Sequence, residues 1–442
     1  MVGAGDSRKV SFAGLRNAGI RFGKRKRDET RREEKRTVLR TFGREAETEP
    51  HRLEKRLASA SRPIRKVLEA SLEGKELGAS DARALFETRA EDLQALLETA
   101  DAVRRRRVGE TVTFVVVRNI NFTNICYTGC RFCGFAKREG DPEAEFLSLE
   151  EIARRTKEAA ARGATEVCMQ GGLHPRMKAE DYCAIVRAVK EAVPEIHVHA
   201  FSPFEIKYGA GRSRISVEEF LLRLKEEGLG TIPGTAAEIL DTRIRKTLTK
   251  DKLSAREWVE IVKTAHRLGI RSSSTMMYGH VDGPAEWVAH FETLREIQKE
   301  TGGFTEFVPL GFVHYDAPIY LDGVARPGPT REENFKVHAV ARLFFQGWID
   351  NIQVSWVKLG PRMAQYILQR GANDFGGTLM NESISRSAGA RFGEEISPAE
   401  FCRYIREIGR IPAQRNTVYE IVARYETTDP PSEWEQPLAP VH

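Results

Sequence analysis

Three cysteines, Cys126, Cys130 and Cys133, fall within eight positions, in the segment Asn119-Ile-Asn-Phe-Thr-Asn-Ile-Cys-Tyr-Thr-Gly-Cys-Arg-Phe-Cys-Gly-Phe135. Thiolates are soft ligands, suited to zinc or to iron–sulfur clusters. A structural zinc site usually takes four ligands, commonly as two C-x2-C or Cys/His pairs. Here there is one compact group of three, and His174 lies 41 residues past Cys133. Three thiolates on one cuboidal cluster leave one iron without a protein ligand, and an open iron can bind a small molecule. Zinc is the plain alternative; a catalytic [4Fe-4S] cluster is the reading that uses a count of three. The chain has six cysteines in 442 residues, too few for a disulfide scaffold, and its start has no continuous apolar run of a secretory signal. The expectation is a reducing, cytoplasmic setting.

A second group of residues follows the next β-rich run: Cys168-Met-Gln-Gly-Gly-Leu-His-Pro175. Adjacent glycines such as Gly171 and Gly172 let backbone approach a ligand closely, although an ordinary turn would use them too. Pro233-Gly-Thr-Ala-Ala-Glu238 reads either as a third such loop or as a helix start. Polar residues near predicted strand ends are His199, Ser202, Tyr278, His280, Glu306, His314, Gln353 and Asp374. Among them His280 and Glu306 stand out as catalytic candidates, because glycine or apolar residues flank them. Cys168, Cys183 and Cys402 sit singly at helix or strand spacing and read as apolar fillers. His266 and His290 fall inside helical patterns.

The elements that must position these residues alternate. Strands are predicted near 111–118, 165–169, 196–201, 229–232, 270–277, 304–309, 349–354 and 374–378. Helices are expected at 62–74 and 80–106, then 148–162, 178–193, 216–227, 236–247, 254–268, 284–300, 330–346, 361–370 and 397–409. Eight strand–helix repeats predict an α/β fold, a (β/α)8 TIM-type barrel with an N-terminal helical extension, with chemistry on loops after the strands. The expected division is a basic, disordered tail over 1–61, helices over 62–110 and the barrel over 111–380. A helical part packed on the barrel over 381–425 and a disordered end over 426–442 complete it. The net charge of +6 conceals an asymmetry: residues 1–44 carry +9 and the remainder −3. A basic tail invites a nucleic-acid reading, but no aromatic interleaving or binding motif accompanies it, so no nucleic-acid partner is expected. No apolar run approaches the ~18 residues of a membrane span.

With Phe132 just before the third cysteine and a first barrel strand before the loop, C-x3-C-x2-C resembles the radical S-adenosylmethionine superfamily. The resemblance implies a [4Fe-4S] cluster on Cys126, Cys130 and Cys133 whose open iron chelates the amino and carboxylate groups of S-adenosylmethionine. An electron from the cluster would cleave the sulfonium to methionine and a 5′-deoxyadenosyl radical. Phe132, Gln170, Gly171 and Gly172 would then contact the cofactor. The superfamily usually reads Gly-Gly-Glu at the second landmark, whereas this chain has Leu173, which puts a carboxylate contact there in doubt. The stretches Asn119–Cys126, Met169–Pro175 and Pro233–Leu240 resemble the subgroup of deazaflavin (FO) synthases and futalosine-pathway menaquinone enzymes. Tyr278-Gly-His-Val281, Gly302–Leu310, Phe312–Pro318 and Gly376–Ser385 are most similar to the family of the second FO synthase subunit. That family implies a 5-amino-6-(D-ribitylamino)uracil–L-tyrosine 4-hydroxyphenyl transferase serving coenzyme F-420 biosynthesis. Its partners would be L-tyrosine, 5-amino-6-(D-ribitylamino)uracil, an electron donor and a separate first FO synthase subunit. A menaquinone-pathway radical enzyme is the alternative. The resemblance covers residues 62–425.

Overall fold

The computed structural model describes residues 49–436 and 438. Contacts divide the chain at Glu54: of the first unit, residues 1–54, only 49–54 are described, and the second unit runs from Lys55 to the end. The barrel belongs to the second unit. Its first stave is β1 (Thr111–Val115) continued by β2 (Val117–Ile120), and then come β3 (Glu166–Met169), β4 (His197–Ala200), β5 (Thr231–Ile232), β6 (Arg271–Tyr278), β7 (Phe304–Gly311) and β8 (Asp374–Gly377). From β2 to β7 each strand pairs in parallel with the next.

The seventh stave is the predicted stretch near 349–354, reduced to single bridges between Phe307 and Ile352 and between Gln353 and Asp374. Its ladder is nonetheless made, with Gln353 N donating to Phe307 O at 3.0 Å and Val354 N to Asp374 O at 2.9 Å. Parallel pairing of β8 with β1 then closes the ring of eight. Apolar strand faces such as Val112, Phe114, Val167, Val198 and Phe307 are buried, as parallel strands covered by helices require. Ser148, Ser216, Asp241, Ser254, Thr330 and Ser397 each cap a helix through the side chain, which fixes where each helix leaves the rim.

Several expectations need correction. The tail predicted over 1–61 lies outside the described residues up to 48, but Glu49–Ser59 is helical. One helix predicted over 80–106 is two, Ala79–Glu87 and Ala90–Val108, broken where Ala90 takes φ 45°. The helix expected from 236 starts only at Thr242, because Ala236 (φ 63°) and Glu238 (φ 41°) hold a left-handed loop. An unexpected helix, Pro203–Ser213, follows β4.

The C-terminal part, predicted helical, keeps the helix Pro398–Glu407 but then forms a hairpin of β9 (Ile411–Arg415) and β10 (Ile421–Arg424). β9 runs parallel to β1 on the edge opposite β8. Its turn enters the ring at the N-terminal ends of the strands: Arg415 Nε donates to Asp374 Oδ2 at 2.6 Å, and the Tyr419 hydroxyl donates to Glu306 Oε2 at 2.6 Å. Thr417 bonds Glu166 beside them. The hairpin therefore closes the barrel floor with a buried polar network. The end predicted as disordered forms a 3-10 turn at Ser432–Glu435, where Trp434 lies over Gly163 and accepts from Arg162 Nε at 3.0 Å.

Candidate active site

The loop after β2 carries the three cysteines and is tied down by backbone groups. Cys126 N donates to Lys137 O at 3.0 Å, Tyr127 N to Leu173 O at 3.2 Å and Cys133 N to Cys130 O at 3.1 Å. Arg138 spans the loop, donating to Cys126 O at 2.6 Å and Thr128 O at 3.3 Å. All three thiols are free, and the Thr128 hydroxyl sits 3.1 Å from Cys126 Sγ and 3.6 Å from Cys130 Sγ. They line one cavity of about 270 Å³ at the C-terminal mouth of the barrel. Among the described residues no three or more His, Cys, Asp or Glu side chains close on a single-ion site. Ligands of one zinc must converge on a point, whereas thiolates of a cuboidal cluster each take a different iron.

The same cavity is lined by Phe132, Gln170, Gly171 and Gly172, so the residues expected to contact a cofactor come together with the cysteines. The glycines also serve a packing role. A Cβ on Gly171 would stand 2.6 Å from the buried Phe122 ring, and one on Gly172 would stand 2.3 Å from Ile125 O. Their missing side chains let this turn dock on the cysteine loop itself. Gln170 fixes its far side: its carbonyl accepts from Asn121 Nδ2 at 2.9 Å, and its Oε1 accepts from the Thr235 hydroxyl at 2.8 Å.

Leu173 is in the core, but a carboxylate reaches the glycine turn from another element. Glu205 Oε1 accepts from Gly171 N at 2.9 Å, while its Oε2 accepts from Ser202 N at 2.7 Å and the Ser202 hydroxyl at 2.6 Å. Burial raises the Glu205 carboxyl to about 7 despite these donors. Sequence reasoning missed Glu205. The spacing Ser202-Pro-Phe-Glu205 is a capping box and was the available signal. The Pro233–Glu238 loop lines the cavity with Thr235, Ala236 and Glu238. Lys252 Nζ lies 2.6 Å from Glu238 Oε1 and 5.1 Å from the centre of the Phe132 ring.

Of the eight strand-end polar residues, Ser202 lines the cavity. His280 and Glu306 are elsewhere. His280 Nε2 pairs with Met277 O at 3.0 Å, and its Nδ1 accepts from Val281 N at 2.7 Å, which braces the turn after β6. Burial holds its imidazole below the usual range. Glu306 faces the floor network, where Gln353 Nε2 and Tyr419 donate to it and burial raises it to about 7. Asp374 shares that network, His199 pairs with the Thr231 hydroxyl at 2.7 Å, Tyr278 with Asn334, and the His314 ring lies tilted against that of Tyr315. Cys183 and Cys402 are buried, as expected of fillers; Cys168 is partly buried and lies 3.8 Å from Gln170 Nε2.

Comparison with known proteins matches residues 120–294 to the radical SAM superfamily and residues 301–428 to the CofH/MqnC C-terminal region. The chain is 59% identical over 329 residues to the FO synthase of Mycobacterium leprae, covering 74% of this chain and 38% of that one. It thus spans about two fifths of the FO synthases it resembles. It is 52% identical over 328 residues to a Methanothermobacter thermautotrophicus protein named 5-amino-6-(D-ribitylamino)uracil--L-tyrosine 4-hydroxyphenyl transferase, covering 74% of this chain and 89% of that one. Among solved structures, methylornithine synthase (PylB) shares the fold at TM-score 0.63 and 19% identity, over 78% of this chain and 97% of that one. The hydrogenase maturase HydG does so at TM-score 0.64 and 17% identity, over 84% and 80%. With its cysteine loop, glycine turn and closed parallel ring, the chain belongs to the radical S-adenosylmethionine superfamily, in the family of the Methanothermobacter transferase.

Proposed function

We propose that this chain cleaves the Cα–Cβ bond of L-tyrosine and transfers the 4-hydroxybenzyl group to 5-amino-6-(D-ribitylamino)uracil, releasing 2-iminoacetate, in the biosynthesis of the deazaflavin FO and coenzyme F-420. The observation that carries the reading is the match to the transferase over 89% of its length, in a chain whose three cysteines and glycine turn face one cavity. Cys126, Cys130 and Cys133 would hold the [4Fe-4S] cluster, and the donor set fits it: three free thiols, lining one cavity, on a loop fixed by backbone bonds. When bound, the cluster and S-adenosylmethionine supply a 5′-deoxyadenosyl radical.

The chain's own residues position and enclose. The Gly171–Gly172 turn, held by Glu205 and Gln170, presents backbone to the cofactor. Phe132 and the Lys252–Glu238 pair line the same cavity, with Glu238 Oε1 2.6 Å from Lys252 Nζ and Oε2 3.6 Å from the Arg245 guanidinium. The hairpin floor keeps water from entering at the N-terminal end of the ring. We further read L-tyrosine, the diaminouracil and an electron donor as partners, with a separate first FO synthase subunit acting on the product. No described helix is long and apolar enough to cross a membrane, and we read the setting as cytoplasmic.

The test is mass spectrometry of the reduced, reconstituted enzyme with S-adenosylmethionine, L-tyrosine and the diaminouracil. The expected outcome is the 4-hydroxybenzyl adduct together with 2-iminoacetate, detected as glyoxylate. Turnover of a futalosine-pathway substrate in place of tyrosine would move the chain to the menaquinone branch.

A further inference from the structure

Two lysines line the cavity, and their surroundings differ. Lys252 is ion-paired to Glu238 at 2.6 Å, a carboxylate it shares with Arg245 at 3.6 Å. Lys358, on the short helix Trp356–Leu359 after the seventh stave, donates to the neutral Ser385 hydroxyl at 2.6 Å. Among the described residues no carboxylate stands at ion-pair distance from it. Glu382 acts on it only through space: its Oε1 accepts from Ser385 N at 2.8 Å, its Oε2 is buried without a hydrogen-bond partner, and burial still lowers the Lys358 pKa overall. An enclosed ammonium without a paired anion is costly, so a site that retains one is built for an anion brought from outside.

The segment that carries Ser385 is held firmly. Leu379 and Asn381 both take φ 65°, a strained conformation for residues with side chains. Beyond it, a Cβ on Gly134 would stand 1.9 Å from Ser387 O, so this segment lies directly on the cysteine loop. In the ring, Lys358 follows the seventh stave, across from the second and third, whose loops carry Gly171–Gly172 and Glu205.

Chemistry identifies the anion, granted the reading of function above, on which this step rests. On that reading the carboxylate of S-adenosylmethionine would be taken up by the open iron of the cluster. The diaminouracil has amino groups, a ring and a ribityl chain but no acid. L-Tyrosine carries one carboxylate. We propose that Lys358, assisted by Ser385, receives the α-carboxylate of the tyrosine substrate and so selects an α-amino acid over other phenols.

The experiment is equilibrium binding of L-tyrosine and of tyramine, which lacks the carboxylate, to the unreduced, reconstituted enzyme with S-adenosylmethionine and the diaminouracil present. The unsubstituted enzyme should prefer tyrosine by about 10- to 100-fold, the range of a hydrogen bond to a charged group. Lys358→Met should lose that preference by weakening tyrosine alone, and Lys358→Arg should recover part of it. Cluster absorbance and S-adenosylmethionine affinity should be unchanged in both. Equal weakening of tyramine, unchanged tyrosine binding, or loss of S-adenosylmethionine affinity instead would overturn the assignment. If Lys358→Met does not take up its cluster, the unsubstituted enzyme still decides, since equal affinity for tyrosine and tyramine refutes a carboxylate subsite. An unsubstituted enzyme that binds no tyrosine at all refutes the functional reading itself, and the subsite with it.

Discussion

Replacing Gly172 by alanine separates a glycine that serves a ligand from one that serves a loop contact. The added Cβ would stand 2.3 Å from Ile125 O and 2.7 Å from Ile125 C, both backbone atoms that cannot rotate away. Carbon–oxygen contacts settle near about 3.3 Å, so the two loops must part by about 1 Å. The bonds that join them are Gly172 N to Thr123 O at 2.8 Å and Tyr127 N to Leu173 O at 3.2 Å. Weakening both costs roughly 1–3 kcal/mol, and Cys126, next to Ile125, moves by more than the ~0.5 Å a functional constellation tolerates. The assay is iron per chain after anaerobic reconstitution, then S-adenosylmethionine affinity, which should fall about tenfold for 1.4 kcal/mol. Gly129→Ala is the internal control, because a Cβ there meets nothing within 4 Å. Full iron and unchanged affinity in Gly172→Ala would refute the reasoning, as would equal damage in Gly129→Ala.

Alanine at Cys126, Cys130 or Cys133 should each abolish the brown cluster colour, while alanine at Cys168, Cys183 or Cys402 should leave iron content near normal; an iron-replete Cys130→Ala protein would sink the ligand set. Glu205 has a folded pKa of about 7 against an ordinary 4.5, so its stabilising contribution is present below pH 4.5 and is lost as pH rises to about 7. Glu205→Gln should therefore flatten the stability–pH curve in that window by roughly 3 kcal/mol relative to the parent, measured by denaturant titration; parallel curves would contradict the shift. Arg415→Met strands the fully buried Asp374 carboxylate and should destabilise by about 3–5 kcal/mol, with a loss of unfolding free energy under ~1 kcal/mol counting against the floor network.

Much of the frame was legible because parallel strands and capped helices are local patterns. The weak seventh stave was placed correctly by the apolar run around Ile352, even though only single bridges form there. The hairpin was not legible. Ile411-Pro-Ala-Gln-Arg415 turns polar groups inward to meet Asp374 and Glu306, which inverts the apolar-inward rule that identifies strands. At the site, the cysteine spacing and the glycine pair announced themselves, since each is a compact motif. Glu205 and Lys358 did not, because each enters the cavity from a helix that follows a stave, at a position that depends on ring closure. His280 and Glu306 misled for the complementary reason: flanking apolar residues mark burial, and burial under this fold includes the floor and the turn beyond β6 as well as the cavity.

The hairpin floor has a consequence for how the molecule is made. Arg415 and Tyr419 come after every stave in chain order, yet they neutralise or cover Asp374 and Glu306 inside the ring. A chain that has formed all eight staves but not the hairpin leaves these two carboxyl groups uncovered at the N-terminal end of the ring. The reaction vessel becomes a cup only when the hairpin is threaded home. Burial of these two carboxyl groups is therefore among the last events available to the chain, because the residues that cover them are the last part of the barrel to be made.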